Sequence, residues 1–151
     1  MIRLSILLVL TCIMSSSKGT ECQCEKALES ETTHWGWKQL ILRHEAVTKR
    51  IEGKVLDSLS KPMSGVLVEV FNDPDVLFMQ PTPSVEERRR KQQRVAACKV
   101  GHDGRFCFAG LRAGRYELRC SKAAYDAPQM IVVVDPKRPE RQITVTLPVS
   151  Q

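Results

Sequence analysis

Short runs of alternating apolar and polar residues cover the chain from residue 50 onward. The run Val66–Phe71 reads VLVEVF, and the turn-forming Asn72-Asp73-Pro74 ends it. Successive side chains of a strand point to opposite faces, so this pattern predicts strands with one buried face. The seven runs are Ile51–Leu56, Val66–Phe71, Val95–Val100, Phe106–Ala109, Tyr116–Ser121, Met130–Val134 and Ile143–Leu147. Seven short strands with polar turns and almost no helical periodicity predict an all-β fold, an antiparallel β-sandwich.

One insertion between the second and third predicted strands has a different pattern. Pro81–Arg94 reads PTPSVEERRRKQQR, in which Ser84 is a good N-cap, Glu86 and Glu87 lie in the first turn, and basic residues follow. We predict one short exposed helix near residues 84–94. Its five basic and two acidic residues would form a solvated cap over the sandwich, or a small contact for nucleic acid or lipid headgroups.

The first residues have the pattern of a secretory signal peptide. Arg3 precedes the apolar run Leu4–Met14, and the small or polar residues Ser15–Gly19 follow. The run of 11 residues is shorter than the roughly 20 that a membrane-spanning helix needs. We therefore predict a signal peptide over residues 1–19 and export of the chain. A lipoprotein signal at Cys12 is the alternative, but the residues before it are not small.

Removal of this leader leaves 132 of the 151 residues, which suits one domain with a core of its own. The 23 basic and 17 acidic residues give a net charge of +6, and loss of Arg3 and Lys18 reduces it to +4. A dedicated nucleic-acid-binding domain would carry a denser basic face. We predict no nucleic-acid partner and no membrane span after leader removal.

Residues 20–48 form an N-terminal segment whose structure the pattern defines poorly. The stretch Thr33–Leu42 is a candidate edge strand, although its apolar positions do not keep one parity. Trp35 and Trp37 would share a face on such a strand and could form a flat platform that stacks against sugars. The alternative is that both indoles are buried against the sandwich.

The cysteines suggest a disulfide-stabilised exported domain. Metal binding is the alternative, but Cys22-x-Cys24 lacks the spacing of common zinc knuckles, and His34 and His44 follow at no recognisable ligand interval. We predict no metal site and no cofactor. The candidate disulfide cysteines are Cys22, Cys24, Cys98, Cys107 and Cys120, and their odd number leaves at least one without an intrachain partner.

The register of the third and fourth predicted strands decides which of these cysteines face the core. A loop at 101–104 would place Cys98 opposite Cys107, but it would also turn a lysine into the core. A loop at 101–105 instead places Cys98 opposite Phe108, with Cys98 inward and Cys107 outward. We adopt the second register.

Parity with its apolar neighbours also points Cys120 inward. We therefore predict that Cys98 and Cys120 face the core and can form a bridge. Cys107 would lie at the surface, where it could pair with Cys22 or Cys24.

Two stretches carry a recognisable motif. Residues 53–71 read GKVLDSLSKPMSGVLVEVF, and residues 103–118 read DGRFCFAGLRAGRYEL. Their order resembles the carboxypeptidase regulatory-like domain over roughly residues 50–147. The matching positions are Gly53, Val55, Asp57, Pro62, Gly65, Val66, Val68, Asp103, Gly104, Phe106, Phe108, Leu111, Gly114, Tyr116 and Leu118.

This resemblance implies a transthyretin-like, seven-stranded Greek-key β-sandwich over residues 49–149, related in architecture to starch-binding domains. Such domains look like folding, adhesion or binding modules of exported bacterial proteins and occur beside peptidases and outer-membrane receptors. The helical insertion and the cysteines are not part of the general motif.

Enzymes on related sandwiches fit the sequence poorly. Hydroxyisourate hydrolases end in tyrosine-arginine-glycine-serine, whereas this chain ends LPVSQ. Intradiol dioxygenases hold iron with two Tyr and two His. This chain has two Tyr, and Tyr116 falls in the buried pattern, so only Tyr125 could serve as such a ligand. No nucleophile-elbow turn surrounds any Ser, and His102 sits in a loop where exposure is expected. Four aspartates lie in separate predicted turns: Asp57, Asp73, Asp75 and Asp103. They could bind calcium only if these turns meet at one end of the sandwich, and their turn-forming role already explains them.

We therefore predict an exported, non-catalytic binding or interaction module of the bacterial envelope or the extracellular space, whose partner is an unidentified protein or glycan. One alternative is a carbohydrate-binding module that uses Trp35 and Trp37. The second is a small metal or redox protein that uses the cysteines.

Overall fold

The computed structural model describes residues 24–33 and 39–151. The predicted leader and Cys22 lie outside these residues. The strands of the described part are β1 (Glu25–Lys26), β2 (Gln39–Thr48), β3 (Ile51–Asp57), β4 (Leu67–Phe71), β5 (Arg94–Lys99), β6 (Arg105–Phe108), β7 (Gly114–Ser121), β8 (Ala127–Val134) and β9 (Ile143–Leu147). A 3₁₀ helix (Pro74–Phe78) and α1 (Pro83–Lys91) lie between β4 and β5.

The strands form two sheets. A six-stranded sheet has the order β1-β5-β4-β7-β8-β2, and a three-stranded sheet has the order β6-β3-β9. The seven predicted strands are confirmed as β3 to β9, and the β-sandwich is confirmed with them. The sheets are mixed rather than purely antiparallel, because β2 runs parallel to β8 and β3 runs parallel to β9.

The core lies between the two sheets and follows from the alternation. Val66, Val68 and Val70 on and before β4 are completely buried, and Leu118 on β7 and Val132 on β8 are almost or completely buried. These side chains belong to one hydrophobic cluster that both sheets line. Burial of an aliphatic side chain contributes about 1.5–3 kcal/mol, so the period-two pattern also supplies the main stabilising term.

Part of the poorly defined N-terminal segment forms strands of the six-stranded sheet. β2 is its edge strand and passes into β3 of the other sheet within two residues. A bulge interrupts β2, because Leu42 pairs with Met130 whereas Ala46 pairs with Val132. Residues 43–45 are exposed there. Such a charged bulge disfavours pairing of the edge with another chain.

The predicted exposed helix is present as α1, but it begins at Pro83 and ends at Lys91, and Arg94 already belongs to β5. Thr82 is the N-cap, and its Oγ1 accepts a hydrogen bond from the Val85 amide at 3.4 Å. Pro83 is the first helical residue, where a missing amide hydrogen breaks no intrahelical hydrogen bond. Ser84, the predicted N-cap, therefore lies inside the helix. The preceding 3₁₀ helix, whose Val76 and Leu77 are buried, was not predicted from the sequence. Neither helix in the described part of the chain has the length and apolar composition that a membrane crossing requires.

The chain crosses between the sheets after β5, which corrects the predicted strand register. β5 pairs with β4 and β1, whereas β6 pairs with β3, so neither proposed pairing of Cys98 across a β5–β6 hairpin occurs. The predicted side-chain directions of the cysteines are nevertheless confirmed. Cys98 and Cys120 belong to the buried core, and Cys107 is half-buried outside it.

Candidate functional site

A disulfide joins the N-terminal segment to the sandwich. Cys24, next to β1, is bonded to Cys98 of β5, with Cα atoms 5.8 Å apart. Cys107 is also disulfide-bonded, and its carbonyl oxygen lies 3.3 Å from the Cys24 sulfur. The segment therefore contacts β5 of the six-stranded sheet and β6 of the three-stranded sheet.

The predicted bridge between Cys98 and Cys120 was wrong, and the sheet order explains why. Val68 of β4 pairs with Cys98 on one side and with Cys120 on the other. Adjacent strands lie about 4.8 Å apart, so the two cysteines are separated by about 10 Å, beyond the roughly 7 Å that a disulfide spans. Cys120 is a free, buried thiol, and burial raises its pKa, with a further contribution from Glu69. Pairing of Cys107 with Cys24 is likewise excluded.

A group of buried charged side chains lies on the outer face of the six-stranded sheet, opposite the core. Glu69 and Glu117 are each only 1% exposed, and each is held by an arginine. We call the group the outer polar cluster; its members are Glu69, Gln92, Arg94, Glu117 and Arg119.

One half of the outer polar cluster holds the N-terminal segment. The Arg94 guanidinium lies 3.1 Å from Glu69 Oε1 and donates hydrogen bonds to the carbonyl oxygens of Leu28, Glu29 and Glu31. Thr33 Oγ1 donates to the other oxygen of Glu69. These contacts pin residues 28–33 to the sheet.

The other half holds the insertion that contains α1. Gln92 Nε2 donates to Glu117 Oε2 at 2.7 Å and to the backbone carbonyls of Asn72 and Asp73 at 3.1 Å. Arg119 Nε donates to Glu117 Oε1 at 2.6 Å, and its guanidinium stacks 3.8 Å above the Phe71 ring. Both carboxylates are therefore paired with basic side chains and dock chain segments on the sheet.

An exposed ion pair adds to the docking of the N-terminal segment. Lys99 Nζ contacts Glu31 Oε1, and this hydrogen bond lowers the pKa of Glu31 and raises the pKa of Lys99. The pair therefore stabilises the folded chain above the ordinary Glu pKa of 4.5 and below the ordinary Lys pKa of 10.5. The contribution is lost as Glu31 becomes protonated or as Lys99 loses its proton.

Replacement of Arg94 by Gln tests the docking role of the cluster. The change leaves Glu69 buried without its charged partner, so we expect a loss of about 3 kcal/mol in the free energy of unfolding. Hydrogen–deuterium exchange should also become faster at residues 28–33. The matched control is Arg90→Gln on the exposed side of α1, which should change stability by less than about 0.5 kcal/mol. Unchanged exchange at 28–33 would contradict this role.

A surface groove lies where the chain passes from β2 to β3. Its volume is about 470 Å³, within the range of small-ligand sites, and its lining residues are Val47, Arg138, Pro139, Glu140 and Arg141. The loop that supplies four of them was not singled out from the sequence, although its run DPKRPER is rich in basic residues.

The remaining predicted site residues have varied outcomes. Trp35 and Trp37 lie outside the described residues, so the glycan platform stays a prediction. Asp57 Oδ1 accepts hydrogen bonds from the amides of Leu59 and Lys61, and Asp103 Oδ1 accepts one from the amide two residues later, which are turn-stabilising roles. Within residues 24–33 and 39–151, no group of three or more His, Cys, Asp or Glu side chains could hold a metal ion.

The chain is similar to a solved structure and matches a family model. The chain is similar over 84% of its length, and over 62% of the other chain, to the crystal structure of catechol 1,2-dioxygenase from Pseudomonas arvilla C-1, with 10% identity and a TM-score of 0.40. No curated protein matches the sequence. The family model of the carboxypeptidase regulatory-like domain matches residues 50–148, more than half of the chain. The chain therefore belongs to the carboxypeptidase regulatory-like domain family.

Proposed function

We propose that this chain is exported and acts as a non-catalytic binding module in a bacterial envelope or outside the cell. The disulfide between Cys24 and Cys98 is the observation that carries this proposal. Disulfides persist in oxidising compartments and are rare in the cytosol. The apolar run at the start of the sequence supports the same location.

Two features support a non-catalytic role. The family to which the chain belongs consists typically of accessory modules rather than enzymes. The buried carboxylates Glu69 and Glu117 are neutralised by arginines and closed over by chain segments, which leaves them no access to a substrate. Binding is assigned instead to the open surface, where the groove beside β2 has the size of a ligand site.

Protein recovered from its native host tests the export proposal. We expect an intact mass that lacks residues 1–19, recovery from the envelope or the medium, and one free thiol. That thiol is Cys120, and it should react only after denaturation because it is buried. A full-length cytoplasmic protein with five or six thiols would refute export and reopen the metal and redox alternatives.

A further inference from the structure

The groove between β2 and β3 is built on a fixed loop. The Asp135 amide donates to the Thr48 carbonyl oxygen at 2.9 Å, and the Lys49 amide donates to the Pro139 carbonyl oxygen at 3.4 Å. The Arg141 amide donates to Thr48 Oγ1 at 3.1 Å, and Thr48 is completely buried. A ligand that enters the groove therefore meets a preformed surface, which reduces the entropy cost of binding.

The two arginines of the groove lining, Arg138 and Arg141, are at most weakly paired with acidic side chains of the described residues. No residue in the described part of the chain forms an ion pair or a hydrogen bond with the Arg141 guanidinium. The Arg138 guanidinium lies 3.5 Å from the half-exposed Asp135 carboxylate, its ion-pair partner among the described residues. Glu140, the acidic residue of the lining, lies 3.8 Å from the Arg50 guanidinium. Two arginines thus face the groove with donors available to an anionic group.

The other lining residues narrow the ligand class. Val47 and the ring of Pro139 form an apolar patch beside the arginines, suited to the carbon–hydrogen face of a sugar ring. The Glu140 carboxylate can accept hydrogen bonds from hydroxyl groups, and it would repel a densely charged polyanion. The combination favours a ligand that carries hydroxyls, an apolar face and widely spaced negative charges.

We propose that this groove binds an acidic oligosaccharide, with a uronic-acid carboxylate held by Arg138 and Arg141. The inference rests on the binding role proposed above and names the ligand class for it. Arg138 and Arg141 supply the charge-assisted hydrogen bonds, while Val47 and Pro139 contact the sugar ring.

Isothermal titration calorimetry on the full disulfide-bonded chain tests this assignment, with trigalacturonic acid as the probe. Arg141→Gln and Arg138→Gln should each weaken binding by at least about tenfold, because each removes a charge-assisted contact. Lys61→Gln is the matched control. It removes the same charge from an exposed residue beyond the far end of β3 and should leave the affinity unchanged. Neutral galactotriose should bind at least about tenfold more weakly than the acid.

Three results would overturn the assignment. These are no binding of trigalacturonic acid to the wild-type chain at low salt, unchanged affinity in the double variant Arg138→Gln/Arg141→Gln, or equally tight binding of inorganic phosphate with the same arginine dependence. None of them affects the cellular location or the thiol count. Failure of this inference is therefore distinguishable from failure of the proposed export.

Discussion

Replacement of Gly53 by Ala is expected to lower the free energy of unfolding by at least about 4 kcal/mol, a loss that only severe steric or packing defects produce. Gly53 lies on the central strand of the three-stranded sheet, paired with Phe106 on one side and with Ile143 on the other. A Cβ at this position would lie 1.9 Å from the Ile143 carbonyl oxygen and 2.9 Å from Phe106 Cζ. The β9 backbone would have to move away, which breaks the ladder between β3 and β9.

Urea unfolding of the Gly53→Ala variant and of the wild type measures this loss. Gly101→Ala is the matched control, because a Cβ at Gly101 meets no atom within 4 Å, and we expect it to change stability by less than about 0.5 kcal/mol. Equal midpoints for the two variants would show that β9 adjusts freely and that Gly53 is not required by close approach.

The same reasoning explains why the family motif does not specify a ligand. Gly104 is another motif position, with φ of +70° and a hypothetical Cβ only 2.7 Å from the Val55 carbonyl oxygen. Val55, Val66 and Phe106 are buried in the core. The motif therefore encodes close strand packing and tight turns, and the groove lies on a loop that the motif does not include.

Local patterns predicted the strands well because alternation depends only on adjacent residues. The bulge in β2 shows where such a pattern fails. Between Leu42 and Ala46 the chain advances four positions while β8 advances two, from Met130 to Val132. His44 therefore lies exposed where alternation would turn it inward.

Long-range pairing could not be predicted in the same way. β5 and β6 are consecutive in the sequence and were predicted to form a hairpin, whereas they belong to opposite sheets. The outer polar cluster was missed because Glu69 and Glu117 alternate with core residues and resemble solvent-facing charges. Their burial depends on the insertion and on residues 28–33, which lie far away in sequence. Arg119 lies opposite Glu69 in the ladder, but this charge pair becomes visible only once β4 and β7 are known to be neighbours.

Removal of the disulfide with the double variant Cys24→Ser/Cys98→Ala is expected to lower the free energy of unfolding by about 4 kcal/mol. The two cysteines are separated by 74 residues. A cross-link that closes a loop of this length lowers the entropy of the unfolded chain and thereby raises the free energy of unfolding by about 4 kcal/mol. Substitution of both cysteines creates no new unpaired thiol, so Cys120 is the free thiol of the described residues in the variant, as it is in the wild type. Urea unfolding of the variant and the wild type under non-reducing conditions measures the difference.

Cys120→Ala is the control for this experiment, because it removes a buried sulfur without changing the connectivity of the chain. We expect it to cost about 1 kcal/mol, the scale of a small cavity in the core. A loss in the double variant no larger than that of Cys120→Ala would mean that the noncovalent contacts, including the outer polar cluster and the pairing of β1 with β5, hold the N-terminal segment without this disulfide. The disulfide would then contribute little to folding, and the structural argument for an oxidising compartment would lose its support. A loss near the expected value is a large part of the stability of a typical domain, so the fold would depend on the oxidised state, as the proposed export requires.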